Sequence, residues 1–222
     1  TAVEAMRSGA FDYVQKPFEI EEMEVKVQKA LELRRMQHEI DYLRHAQGDI
    51  YDFERIIGSS GALESVLGVV RKVARSNTTV LVRGETGTGK DVIARLIHNH
   101  SQCRRGPYVP FNCSSIPKEL TESQLFGHRR GAFTGAVDGA PGVIRSASGG
   151  TLFLDEIGDL DAALQPKLLR FLESGEIHTV GEPRPTKVNV RVVAATHRNL
   201  EDEVRAGRFR PLAVKDPVSA MA

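Results

Sequence analysis

Gly84-Glu85-Thr86-Gly87-Thr88-Gly89-Lys90 places three glycines and a lysine directly after an apolar run, with helix-forming sequence following. That order, strand then loop then helix, suits the binding of a phosphate chain. The glycines let successive backbone N–H groups turn inward, the helix start adds its positive end, and Lys90 supplies a point charge for β- and γ-phosphates. A glycine-rich turn with an incidental lysine is the competing reading, and the order of elements disfavours it. Asp91 stands where the general pattern has Ser or Thr to ligate magnesium, so a metal contact has to come from elsewhere. Thr151-Leu152-Phe153-Leu154-Asp155-Glu156 offers one, an apolar strand tipped with paired acids. Asp155 would hold magnesium, directly or through water, and Glu156 would orient and polarise a water that attacks a γ-phosphate. Adjacent acids after a strand are also compatible with a solvated turn, but the two motifs support each other. A third strand, Val190 to Ala195, ends in Thr196 and His197, polar groups placed to sense a γ-phosphate.

The elements needed to position these residues are legible downstream of about residue 50. Strands are expected at Thr79–Val82, Tyr108–Phe111, Thr151–Leu154 and Val188–Ala195, with helices at Lys90–His98 and Leu164–Ser174. Alternation of helices with near-continuous apolar strands predicts an α/β fold, a parallel sheet covered on both faces. Upstream, Val3, Ala5 and Met6 suggest a short helix stopped at Gly9, and Ala10–Val14 a strand ended by Lys16-Pro17. From Glu19 to Arg44, apolar residues recur at three- and four-residue steps, predicting a helix ended by Gln47-Gly48-Asp49. Its stripe suits a short coiled-coil seam as well as packing on a neighbour.

Composition bounds the function. The 222 residues carry 30 basic and 29 acidic side chains, a net charge of +1, so no overall field attracts nucleic acid. No apolar run reaches the roughly 18 residues of a membrane span and no signal peptide is evident, so the chain reads as cytoplasmic. Cys103 and Cys113 form no disulfide framework, which fits a reducing compartment. His98, His100 and Cys103 match no zinc spacing well and read as ordinary helix and loop residues.

With these motifs in place, the sequence closely resembles the sigma-54-dependent activators, the NtrC-type bacterial enhancer-binding proteins among the AAA+ ATPases. The decisive string is Gly131-Ala132-Phe133-Thr134-Gly135-Ala136, identical to the family's GAFTGA loop. Glycines at both ends free a loop to extend, and an exposed aromatic at its tip is costly unless it meets a partner. Standing alone, the string would read as a turn with a buried phenylalanine. The resemblance implies instead that Phe133 and Thr134 contact sigma-54 in the RNA polymerase holoenzyme, moved by the state of a bound nucleotide. It also implies ATP and magnesium as cofactors, with Gly84 to Asp91 as the phosphate loop and Glu156, Asp155 and Lys90 as catalytic residues. Thr196 and His197 take the sensor position. Asn112 would hold Glu156 and link hydrolysis to the loop, Val180-Gly181 with Pro185 resembles a second mobile loop, and Arg210 resembles an arginine acting in a neighbouring subunit of a homo-oligomeric ring.

Gly9 to Pro17 resembles the last strand of a receiver domain, in which Lys16 would pair with an aspartyl phosphate and the peptide before proline is commonly cis. The resemblance divides the chain into a receiver remnant (1–34), a linker helix (35–52), an incomplete AAA+ domain (53–210) and a divergent tail (211–222). After Arg210, Asp216 falls where a second arginine is usual, and the helical lid and DNA-binding helix-turn-helix of the family are not evident. Two functions are therefore expected: an ATP-dependent remodeller of the sigma-54 promoter complex, or a fragment that binds nucleotide or sigma-54 without effective hydrolysis. A phosphate-loop kinase or helicase would require a substrate lid or nucleic-acid tracks that the sequence does not show.

Overall fold

A computed structural model describes residues 2–7, 10–50, 53, 60–210 and 216–219. The chain forms two compact units, Thr1–Ile50 and Tyr51–Ala222.

In the first unit, α1 (Ala2–Arg7) leads to an irregular segment and then to α2 (Ile20–Ile50). Gly9, the expected helix stop, lies outside the described residues. Ala10–Val14 forms no strand: backbone alone does not make one without a neighbouring ladder, and none of the described residues supplies it. Lys26 ties this segment to α2 instead, donating to the Tyr13 carbonyl at 2.8 Å and pairing with Asp12 at 3.4 Å. The Lys16-Pro17 peptide is cis. Helix α2 continues through Gln47-Gly48-Asp49 to Ile50, since one glycine costs a helix only about 1 kcal/mol. The boundary expected between 34 and 35 thus falls inside one continuous helix.

The second unit is a parallel sheet between helices. Its elements are α3 (Gly61–Ala74), β1 (Val80–Arg83), α4 (Lys90–Asn99), β2 (Tyr108–Asn112), α5 (Lys118–Phe126), α6 (Gly142–Ser146), β3 (Thr151–Asp155), α7 (Gln165–Ser174), β4 (Glu176–Ile177), β5 (Thr186–Lys187), β6 (Arg191–Thr196), α8 (Leu200–Arg205) and β7 (Asp216–Ser219). The strand order is β2-β3-β6-β1-β7, with β4 and β5 a separate antiparallel pair. Alternation along each strand feeds two cores. Leu81, Leu152, Leu154, Val192 and Ala194 pack with Leu125, Phe126, Ile144, Leu168 and Phe171. Val80, Val82, Phe153, Val193 and Ala195 pack with Leu67, Val70, Ile93, Leu96 and Ile97. Both faces being covered is why the strands read as unbroken apolar runs.

Residues 211–222, expected as a divergent tail, include Asp216–Ser219, which forms the strand on the open side of β1, with Leu81 opposite Pro217. Proline is tolerated there because, among the described residues, β7 pairs in the sheet with β1 alone. Pro211–Lys215 lie outside the described residues.

Two glycines fix the approach to the loop that follows α5. Gly127 and Gly142 both have positive φ, and a Cβ on Gly142 would lie 2.3 Å from the Gly127 nitrogen, backbone that has no room to yield. Gly142→Ala is expected to destabilise the protein by about 3 kcal/mol, read as a lowered urea midpoint at unchanged slope.

Candidate active site

Parallel register gathers the carboxyl ends of the strands. Asn112 lies opposite Asp155, and Arg83, the last residue before the phosphate loop, lies opposite Thr196. The acid-tipped strand β3 and the loop-bearing β1 are not neighbours; β6 runs between them. The Gly84 amide donates to the Thr196 carbonyl at 3.3 Å, which fastens the loop to this middle strand. Gly87 and Gly89 have φ of 83° and 79°, values an L side chain rarely adopts. Gly89 starts α4 without a side-chain cap, leaving the first-turn N–H groups open to an anion. Asp91 is exposed in that first turn.

Lys90 is buried. Its Nζ donates to the Gly84 and Glu85 carbonyls, both at 3.1 Å, and lies 3.4 Å from Glu156 Oε1. Glu156 is the one non-glycine residue with positive φ among those described, at φ 50° and ψ 50°. Such a conformation is strained and persists where surroundings hold it. Here the holders are Lys90 on one carboxylate oxygen and His197 on the other, with Nδ1 at 2.6 Å and the backbone amide at 3.2 Å. In an extended strand, consecutive side chains point to opposite faces. The turn of the backbone at Glu156 lets both adjacent acids stay at the site.

Asn112, expected to hold Glu156, meets the other acid. Its Nδ2 donates to Asp155 Oδ2 at 3.3 Å, so it grips the first acid and not Glu156, while its own carbonyl oxygen accepts from Ser114. The register explains this, since Asn112 and Asp155 are cross-strand partners. Thr196 is fully buried with its hydroxyl accepting from the Arg198 amide at 3.1 Å, so of the expected sensor pair it is His197 that faces the acids.

The two acids differ in charge environment. Burial, followed by the neighbouring Glu156 charge, raises Asp155 above the ordinary carboxylate value, against a hydrogen bond from the Glu156 amide and the charge of Lys90. Burial also pushes Glu156 upward, but the ring and amide of His197 together with Lys90 outweigh it and leave Glu156 below its ordinary value. Two carboxyl groups thus face the Lys90 ammonium at the site. Hard carboxylate oxygens fit magnesium, which binds through one or two carboxylates and the substrate's phosphates.

Arg210 is exposed, and its backbone amide donates to Gln165 Oε1 at 2.8 Å. Gln165 is buried, and its amide nitrogen also donates to the Leu160 and Arg208 carbonyls, so one side chain pins the segment carrying Arg210. Glutamine within a helix pattern gives no sequence signal for that role.

The 131–136 loop is closed at its neck by Gly131 N–H to the Ala136 carbonyl at 2.8 Å. Thr134 is exposed, and Phe133 is 41% exposed, its ring 5.0 Å from that of His128. The Phe133 ring is thus outside the core. His128 is braced by Ser123 of α5 at 2.7 Å and by the Asp138 carbonyl at 2.9 Å. Backbone bonds Arg129 to Val180 and Val180 to Gly127 join this neck to the 178–185 loop between β4 and β5. Arg145 clamps that second loop, with Nη2 within 3.3 Å of Thr179, Glu182 and Thr186.

No helix among the described residues is long and apolar enough to cross a membrane. His98 and Cys103, considered above for metal, each contact the Thr151 hydroxyl, at 2.9 and 3.3 Å.

Residues 56–215 match the family described as the sigma-54 interaction domain. Regulatory protein AtoC of Escherichia coli K12 is 45% identical over 210 residues, 95% of this chain and 46% of its own length. The DNA-binding transcriptional regulator NtrC of the same organism is 44% identical over 94% of the chain and 44% of its own length. The chain thus spans about half the length of these curated relatives. Among solved structures, NtrX of Brucella abortus in complex with ATP aligns with TM-score 0.71 at 32% identity, over 100% of this chain and 50% of that one.

Proposed function

The chain belongs to the sigma-54 interaction domain family, and from that premise we propose that it couples ATP binding and hydrolysis to remodelling of the sigma-54 RNA polymerase promoter complex, acting in the cytoplasm. The observation that supports this reading most is the strained Glu156, gripped by Lys90 and His197 at the mouth of an uncapped helix. The phosphate loop, Gly84 to Asp91, cradles ATP on its backbone amides, and Lys90 exchanges its carbonyl partners and Glu156 for the β- and γ-phosphates. Release of Glu156 from Lys90 leaves its carboxylate free to take the proton of the attacking water while His197 keeps it oriented. Asp155, oriented by Asn112, would hold magnesium, which when bound neutralises charge on the triphosphate. Arg210, presented by the Gln165 anchor, would reach the γ-phosphate of a neighbouring subunit in a ring.

The change at Glu156 would travel to the 131–136 loop through the strand ends and α5, whose Ser123 holds His128 beneath Phe133. Support for Phe133 and Thr134 as the sigma-54 contact is their exposure on a glycine-flanked loop braced by a second loop. Pull-down of sigma-54 with a transition-state mimic of ATP tests it. Thr134→Ala is expected to lower retention about tenfold with ATP binding unchanged, in line with loss of a central interface contact. Undiminished retention would remove the loop from the interface.

A further inference from the structure

A chain of alternating charges runs from the turn after the acid pair to the segment that carries Arg210. In the turn Ile157–Asp159, the Asp159 amide donates to the Glu156 carbonyl at 2.9 Å, and the Asp159 carboxylate pairs with Arg198. Arg198 follows His197, which grips Glu156, so its backbone and its side chain are both tied to that acid. Its stem runs past Gly158, where a Cβ would lie 3.1 Å from Arg198 Cδ. The other terminal nitrogen of Arg198 stands 3.8 Å from Glu203 Oε2. Glu203, on α8, takes Arg208 in a fork, Nε to Oε2 and Nη2 to Oε1, both at 2.8 Å. The Glu203 carbonyl also accepts from the Arg208 and Phe209 amides, at 2.9 and 3.2 Å, and Phe209 is buried in the core. Arg210 comes next in the chain and is exposed.

An isolated ion pair at a protein surface holds little. Here the fork is bidentate, the charges form a network of four residues, and the Glu203 side chain is only 14% exposed. Hydrogen bonds from Arg208, with its charge and that of Arg198, keep Glu203 below its ordinary value against the effect of burial. We propose that Glu203 is a positioning residue for Arg210: its fork on Arg208 and its pair with Arg198 hold the presented arginine in register with the acid pair of the same subunit. The inference rests on the ring reading proposed above, in which Arg210 serves the γ-phosphate bound next door. A guanidinium acting across an interface stabilises charge on the phosphoryl group only when its reach is set beforehand. Loss of the fork therefore costs turnover and leaves ATP binding in the same subunit intact.

Glu203→Gln keeps the shape of the side chain and removes its charge. In the purified protein it is expected to lower phosphate release about tenfold, with calorimetric ATP affinity within about twofold of the native value. Mixing separates positioning from general damage. A Glu203→Gln subunit keeps its own acid pair, and a Glu156→Gln neighbour lends it a native arginine, so an equal mixture should hydrolyse ATP about fivefold faster than the average of the two proteins alone. Damage that reached the variant's own acid pair would not be repaired in this way. Arg210→Ala mixed with Glu156→Gln is the control. A rise in the control without one for Glu203→Gln overturns this inference and leaves the ring reading standing, whereas no rise in either removes both. Native turnover in Glu203→Gln alone also overturns it. Should Glu203→Gln not fold, Arg208→Gln opens the same fork from its exposed end, with the same rise expected and the same results overturning it.

Discussion

Glu156→Gln is expected to lower steady-state ATP hydrolysis by about a hundredfold or more, the range for loss of a positioned general base. ATP affinity should stay within about twofold of the native value, or tighten. The geometry sets both expectations. Glutamine keeps the size of the side chain and an oxygen for His197, but it cannot take a proton from water. It also releases Lys90, whose Nζ lies 3.4 Å from the native carboxylate and must leave it to meet the phosphates. Phosphate release measured alongside calorimetric ATP binding separates the two effects. A variant that hydrolyses at the native rate would mean that the chemistry runs through another group.

Lys90→Ala should act on the other quantity. One charge-assisted contact to phosphate contributes about 2 kcal/mol, so ATP affinity is expected to fall roughly thirtyfold in a calorimetric titration. The substitution also removes a positive charge from the acids. Glu156 is depressed in the folded protein, so its ionisation stabilises the fold at neutral pH, and that contribution is lost as pH falls through the folded value. Without Lys90 the depression shrinks, and the acid limb of the stability profile should move toward higher pH. ATP affinity unaffected by Lys90→Ala would detach the glycine loop from the triphosphate.

Much of this arrangement was legible in sequence because the motifs carry their own context. The loop before Lys90, the acid-tipped strand and the 131–136 string fall on the elements expected of them, with strand ends differing by at most three residues. Spatial order was less accessible. A sequence in which the loop strand comes first and the acid strand third does not say that β6 lies between them, and only the register shows it. Asp155 and Glu156 are adjacent in the chain, and it is the parallel register of β2 and β3 that sets Asp155 opposite Asn112, a pairing that chain order does not reveal. Ala10–Val14 has the composition of a strand, but pairing requires a neighbour. Asp216–Ser219 has no strand signature and acquires its form from the exposed edge of β1.

The position of β1 also bears on how the protein is made. Its two neighbours, Arg191–Thr196 and Asp216–Ser219, lie on the order of a hundred residues farther along the chain, a separation that slows folding by delaying productive pairing. As the polypeptide leaves the ribosome, Val80–Arg83 stays with both edges bare until Arg191–Thr196 and Asp216–Ser219 have been made, an invitation to misassociation that chaperones would have to meet. The time taken to synthesise residues 84–190 then sets how long those edges stay open.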